Sequence, residues 1–407
     1  MHLKGLSFRR LGAVLLALCM AGAVLAGCSD DEKAETGHIV EAIPEEELAG
    51  MQQPQAPAAE EPAAPVEEAA EEEEVDDENP PREGMVRSPF TNEWVDEALV
   101  KNRPIAMMYP INKEAQPQYG LNKVEVFYEI MEEGSMSRQM GIISDWQGLE
   151  RIGNIRSIRD YFVYAALEYD PIIVHFGGPV VYVKDILTRA DVDNLNGVGG
   201  EMGGAFNAFY RIPAGSTSEH TAYTDGSHLQ SAISSAGFAK EHRSQYWENE
   251  SHFKFASKSN PNTLEQYDRA VNATEIDMTG SYPVTKSALT YNENDHLYYK
   301  RLYGNAQVDG ATGEQMAFAN ILIEKAYYIK RDNNGYLSFQ MHDTTRDGYF
   351  ITRGKMIHVT WKKEGDYLAT RFYDDNGEEI KVNTGKTMIF VIRDGTDSFT
   401  VNGTKYD

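Results

Sequence analysis

Past residue 102, short apolar runs stand between turn-forming residues, and the period of each run predicts an element. Arg103-Pro104-Ile105-Ala106-Met107-Met108-Tyr109 reads as a strand, with proline at its start where no ladder donor is needed. Val124-Glu125-Val126-Phe127-Tyr128-Glu129 and Arg138-Gln139-Met140-Gly141-Ile142-Ile143 read as two more. Residues 158–169 have helical spacing, and Pro171-Ile172-Ile173-Val174-His175-Phe176 is almost continuously apolar, as a strand buried on both faces would be. Shorter helices are expected at 184–189 and 226–236. Helices alternating with strands predict layered α/β structure over 88–240.

Beyond residue 241 the pattern becomes β-rich, with runs at 287–291, 297–303, 318–329, 336–341, 349–351, 356–361 and 387–392. Asp332-Asn333-Asn334-Gly335, Arg353-Gly354-Lys355 and Asp374-Asp375-Asn376-Gly377 each place Gly or Asn where a hairpin needs positive φ. Met316 and Ala317 favour a helix at 318–329, but apolar density and Tyr327-Tyr328 favour a strand. The expected fold is therefore α+β: an N-terminal layered α/β domain, then a mainly antiparallel β domain over 241–407.

The front of the chain belongs to neither part. Lys4, Arg9 and Arg10 precede an apolar run at 11–24, which is short for a bilayer core of ~30 Å. Leu25-Ala26-Gly27-Cys28 then closes what reads as a lipoprotein signal peptide over 1–28, with Cys28 as the lipidated residue. Two acyl chains, palmitate among the usual ones, bury enough CH₂ groups for stable membrane attachment. Residues 29–87 are rich in Glu, Pro and Ala and predict a disordered tether. Residues 29–83 alone carry −18 of the chain's net −25. That concentration of acid argues against nucleic acid or anionic lipid as a partner. Cys19 would leave with the signal and Cys28 would carry lipid, so no disulfide and no cysteine metal site is expected.

One ordered set of residues resembles the first domain of YerB-like bacterial lipoproteins: Arg103-Pro104-Ile105-Ala106, Tyr128-Glu129, Arg138, Ile155-Arg156-Ser157-Ile158-Arg159-Asp160-Tyr161 and His175-Phe176-Gly177-Gly178. Arg211, His220 and Tyr223 continue it. Tyr299-Lys300-Arg301, Val308-Asp309, Asn320-Ile321-Leu322-Ile323, Val359-Thr360-Trp361-Lys362 and Asn383-Thr384-Gly385-Lys386-Thr387 are similar to the second domain of that family. Asn154 and Thr221 depart from it, standing where a proline and an asparagine are expected. The resemblance implies an envelope lipoprotein and assigns no activity.

Chemistry is concentrated in Gly153-Asn154-Ile155-Arg156-Ser157-Ile158-Arg159-Asp160. Ser157 is placed to cap the following helix with Asp160 completing a capping-box variant, and Arg156 and Arg159 would flank that helix start as an anion pocket. The alternative is that both arginines pair with internal acids such as Glu129 or Asp160 and pin the helix to the sheet. His175 ends a predicted strand, and Arg211 and His220 flank a loop at 213–216. The candidate ligand-binding set is Arg156, Arg159, His175, Arg211 and His220. No zinc-protease, nucleophile-elbow, phosphate-loop or dinucleotide motif occurs, so neither metal nor cofactor is expected. Two classes remain open: a non-catalytic envelope protein that binds a wall polymer or another envelope protein, or an enzyme acting on an anionic envelope substrate.

Overall fold

Every residue of Val126–Met131 and of Ser137–Ile143 is buried, so these strands need cover on both faces. The computed structural model, which describes residues 79–213, 219–247 and 252–407, provides it in a mostly β fold with few helices. The signal peptide, Cys28 and the tether up to residue 78 lie outside the described residues. At the end of the predicted tether, Met85–Arg87 is a strand paired with Trp94–Asp96, and the Arg87 guanidinium lies 4.0 Å over the Trp94 ring.

Among the described residues, eleven strands form the main sheet. Its order runs Val271–Asn272, Lys355–Lys363, Thr344–Thr352, Asn320–Ala326, Thr387–Arg393, Val126–Met131, Ser137–Ile143, Ile105–Tyr109, Ile172–His175, Asn194–Asn196, with Arg371–Tyr373 added to Lys355–Lys363. Thr387–Arg393 pairs parallel with Asn320–Ala326 on one side and with Val126–Met131 on the other. Strands expected in the N-terminal and C-terminal parts therefore share one ladder. Within the second part the other strand pairs of the described residues are antiparallel, so the pairing of Thr387–Arg393 with Asn320–Ala326 is the exception. Met388-Ile389-Phe390-Val391-Ile392 is an apolar run without alternation, which suits a strand buried on both faces at the sheet's centre.

A second sheet of seven strands lies against one face. It includes Leu297–Leu302, Ala288–Asn292, Glu275–Asp277 and Phe399–Val401 in that order. Side chains of Val126–Met131 alternate between the two covers, as a strand's period of two requires. Phe127 stacks on Phe318 at 6.2 Å, and Glu129 meets Lys300 and Ser287 of the second sheet. Tyr128 points the other way, its hydroxyl 2.9 Å from that of Tyr169 and 3.1 Å from Glu168.

The predicted helices occur at Asp160–Leu167, Val180–Leu187 and Gly226–Ala236. The first ends because Asp170 takes a left-handed φ of 44° and Pro171 follows it. The ambiguous segment at 318–329 holds the strand Asn320–Ala326. Arg353 and Gly354, at φ 48° and 73°, close the hairpin of Thr344–Thr352 and Lys355–Lys363, a two-residue turn whose central residues both need positive φ. Among the described residues no helix is long and apolar enough to cross a membrane.

Candidate functional site

The segment predicted to open the first helix is extended up to its last residue. Ile155 N donates to Ala222 O, Arg156 N to Met108 O, Phe176 N to Arg156 O, and Ile158 N to Gly177 O. These bonds tie residues 155–158 between the ends of two sheet strands. Helix Asp160–Leu167 therefore starts after Arg159, with no side-chain cap. Ser157 Oγ donates to Phe176 O at 3.2 Å instead, and the Asp160 carboxylate pairs with Arg331. The expected capping box does not form, because Ser157 is committed to the strand-side backbone.

Arg156 and Arg159 nevertheless line one open cleft of about 310 Å³, together with Arg138, Glu132, Glu133 and Tyr336. Their roles differ. Arg159 is almost fully buried, bonding Glu133 Oε2 at 3.0 Å, pairing also with Glu133 Oε1, and lying 3.1 Å from Glu132 Oε2. Burial opposes its charge, but Glu132 and Glu133 outweigh burial and hold the guanidinium firmly protonated. Burial likewise works to raise Glu133, yet its bonds with Arg159 hold it below the ordinary carboxylate range. Arg138 donates to Glu132 Oε1 at 2.5 Å and to Ser157 O at 2.8 Å. The arginine that pins local structure is thus Arg159, and its partners are Glu132 and Glu133 rather than Glu129 or Asp160.

Arg156 makes no ion pair with an acid among the described residues. Its Nη1 donates to the Glu219 carbonyl at 3.0 Å, and its buried Nε has no partner. Arg138 Nε, Asn154 Oδ1 and His220 Nδ1 are also buried and unpartnered. His220 is held in place by Asn154, whose Nδ2 donates to the His220 carbonyl at 3.0 Å. Burial, reinforced by the Arg156 charge, lowers the His220 imidazole so that it is neutral near pH 7. Three guanidinium groups face two carboxylates in the cleft, an excess of one positive charge. With free donors beside that charge, the arrangement suits an anionic group.

The other two predicted residues lie elsewhere. His175 is fully buried, with Nδ1 2.8 Å from Gly177 O and Nε2 3.2 Å from Asn194 Oδ1, and burial lowers its pKa. Arg211 lies 4.8 Å over the Phe176 ring and donates to Thr221 Oγ1 at 2.7 Å. The loop expected at 213–216 lies outside the described residues from 214 onward. Sequence reasoning omitted Arg138 from the site, although Arg138 carried part of the family resemblance. The acids Glu132 and Glu133 gave no local signal.

Two family models match, one described as the N-terminal domain of a protein of unknown function (DUF3048), over residues 90–239, and the other as its C-terminal domain, over 275–389. The chain belongs to this two-domain, YerB-like family of unknown function. A curated relative is YerB of Bacillus subtilis (strain 168), 24% identical over 311 residues, covering 75% of this chain and 83% of that protein. Its name assigns it provisionally to the lipoproteins. The crystal structure of the Bacillus subtilis YerB protein superposes with a TM-score of 0.64 at 23% identity, covering 77% of this chain and 99% of that one, which establishes the shared fold.

Proposed function

We propose that this chain is an exported lipoprotein, anchored through Cys28 at the outer face of the cytoplasmic membrane, whose arginine cleft binds an anionic group of a cell-wall polymer or an envelope protein. The observation that carries this reading is Arg156, a guanidinium with a buried, unpartnered Nε beside a cleft of net positive charge. A permanent cation in no ion pair among the described residues, next to the unpartnered nitrogen of His220, keeps capacity for an anion. The acidic tether ahead of the strand Met85–Arg87 acts as a spacer that carries the folded part away from the membrane and repels nucleic acid. No cofactor is required for binding of this kind. Co-sedimentation of the purified chain with isolated wall sacculi tests it. Retention that is lost in Arg156→Ala supports the reading, and equal retention of both proteins removes the cleft from it.

A second reading rests on His220, a neutral imidazole with an unpartnered Nδ1 that lies close enough to Arg156 to feel its charge. Under it the protein is an enzyme acting on the same anionic substrate, and release of soluble wall fragments, abolished in His220→Gln, is the discriminating result.

A further inference from the structure

A second cleft, of about 230 Å³, opens where Glu168, His252, Tyr246, Tyr367, Gln245 and Arg371 come together. It shares no lining residue with the arginine cleft. Glu168 follows the last turn of helix Asp160–Leu167 and is saturated. It accepts from Lys363 Nζ at 2.5 Å, Thr370 N at 3.0 Å, Thr370 Oγ1 at 2.7 Å and the Tyr128 hydroxyl at 3.1 Å. Burial alone would raise this carboxyl, but Lys363 and His252 hold it well below the usual range.

His252 is not saturated. Its ring is clamped by stacking on Tyr169 at 4.3 Å and by edge contacts with Phe253 at 4.7 Å and Phe90 at 5.8 Å. It is 3% exposed, and its Nδ1 has no hydrogen-bond partner among the described residues. Nε2 stands 3.3 Å from Glu168 Oε1, so the ring proton belongs on that side and Nδ1 keeps a free lone pair. Burial lowers the imidazole and keeps it neutral.

Other side chains complete the cleft beside His252. Tyr246 and Tyr367 stack on each other at 4.1 Å, and the Tyr367 hydroxyl donates to Asp191 O at 2.6 Å, which fixes its plane. Arg371 donates to His252 O at 3.1 Å, holding a planar donor fork at the rim. Charge of both signs surrounds the cleft, Glu168 and Glu364 against Lys362 and Arg371, so neither a strong anion nor a cation is favoured. Flat aromatic faces, an amide, a guanidinium and a buried neutral acceptor match a ring that is apolar on its C–H face and hydroxylated at its edge.

We infer that this cleft is a saccharide site, which takes a neutral sugar ring with His252 Nδ1 accepting from a hydroxyl and Arg371 and Gln245 contacting the rim. The inference stands apart from the anion cleft. The test is saturation-transfer NMR with calorimetric titration of the full chain in detergent micelles, using the neutral oligomers chitotetraose and maltotetraose as probes. Transfer to at least one probe is expected, with binding at least tenfold weaker in His252→Phe, which retains the aromatic stack but has no ring nitrogen. Gln245→Ala, at an exposed position, provides a second variant and is expected to weaken binding severalfold. Arg156→Ala is expected to bind the sugar as the parent does while losing sacculi. Transfer to neither oligomer, or unchanged affinity in folded His252→Phe and Gln245→Ala, overturns the inference.

Discussion

Replacing Lys300 by methionine should destabilise the protein far more than an ordinary surface change, and the buried neighbourhood of Glu129 sets the size of the effect. Lys300 and Glu129 are both fully buried, and Nζ lies 2.7 Å from Oε2. Glu129 also accepts from Ser137 Oγ at 2.7 Å, Ser287 Oγ at 2.8 Å and Gln139 Nε2 at 3.2 Å. Methionine fills the lysine's volume, so cavity formation contributes little and the cost is electrostatic. Stranding one member of a buried pair costs roughly 3–5 kcal/mol. At roughly 2–4 °C per kcal/mol, the melting temperature should fall by about 6 °C or more. Urea and thermal unfolding followed by circular dichroism measure this. Glu129→Gln in the Lys300→Met background should recover much of the loss, because the remaining hydroxyl and amide partners suit a neutral side chain. A single variant within about 1 kcal/mol of the parent at pH 8 would refute the assignment of this pair as a joint between the two sheets.

Glu324 predicts the pH dependence of stability. Burial, then the Glu168 charge, pushes its carboxyl to about 8, so between pH 4.5 and 8 the folded state holds a proton that the unfolded state has released. Stability from this group is present at low pH and lost as pH rises through 8, a span of order 4 kcal/mol that Glu324→Gln should flatten in urea titrations at pH 5 and pH 8. Arg159→Ala should cost about 2–4 kcal/mol by stranding Glu132 and Glu133, whereas Arg156→Ala should stay within about 0.5 kcal/mol, and parallel melting curves separate them. Gly354→Val places a branched side chain at φ 73°, with Cβ 2.9 Å from the Tyr291 ring, and should cost about 1–3 kcal/mol by the same assay.

Elements encoded by adjacent residues were legible before the structure. The helix at 226–236 and the Arg353-Gly354 hairpin carry their signals within a few positions, in helical spacing or in a glycine where φ must be positive. Long-range order was not legible. Nothing local in Thr387–Arg393 says that it pairs with Val126–Met131, more than 250 residues earlier, because an apolar run specifies burial on both faces and no partner. At the site, Arg156 and Arg159 do line one opening, but not for the local reason that the sequence suggested. Arg156 and Arg159 were read as flanking a helix start, whereas the chain at 155–158 is extended and the two side chains reach the same opening from it. Their division of labour depends on Glu132 and Glu133, which approach from a turn more than twenty residues away. His175 lies apart from the arginine cleft, and Asn194, on the neighbouring strand Asn194–Asn196, bonds its Nε2.

The central claim is that Arg156 is the ligand-facing charge of an anion-binding envelope protein. Its most direct test is arginine-selective ¹⁵N NMR, with the Arg156 Nε–H resonance assigned through Arg156→Lys and followed as solubilised anionic wall polymer is added. The account predicts a saturable shift of that resonance, with the Arg159 signal unmoved because Glu133 already holds it. An Arg156 signal that stays still at saturating polymer, or one that moves no more than Arg159, would contradict it.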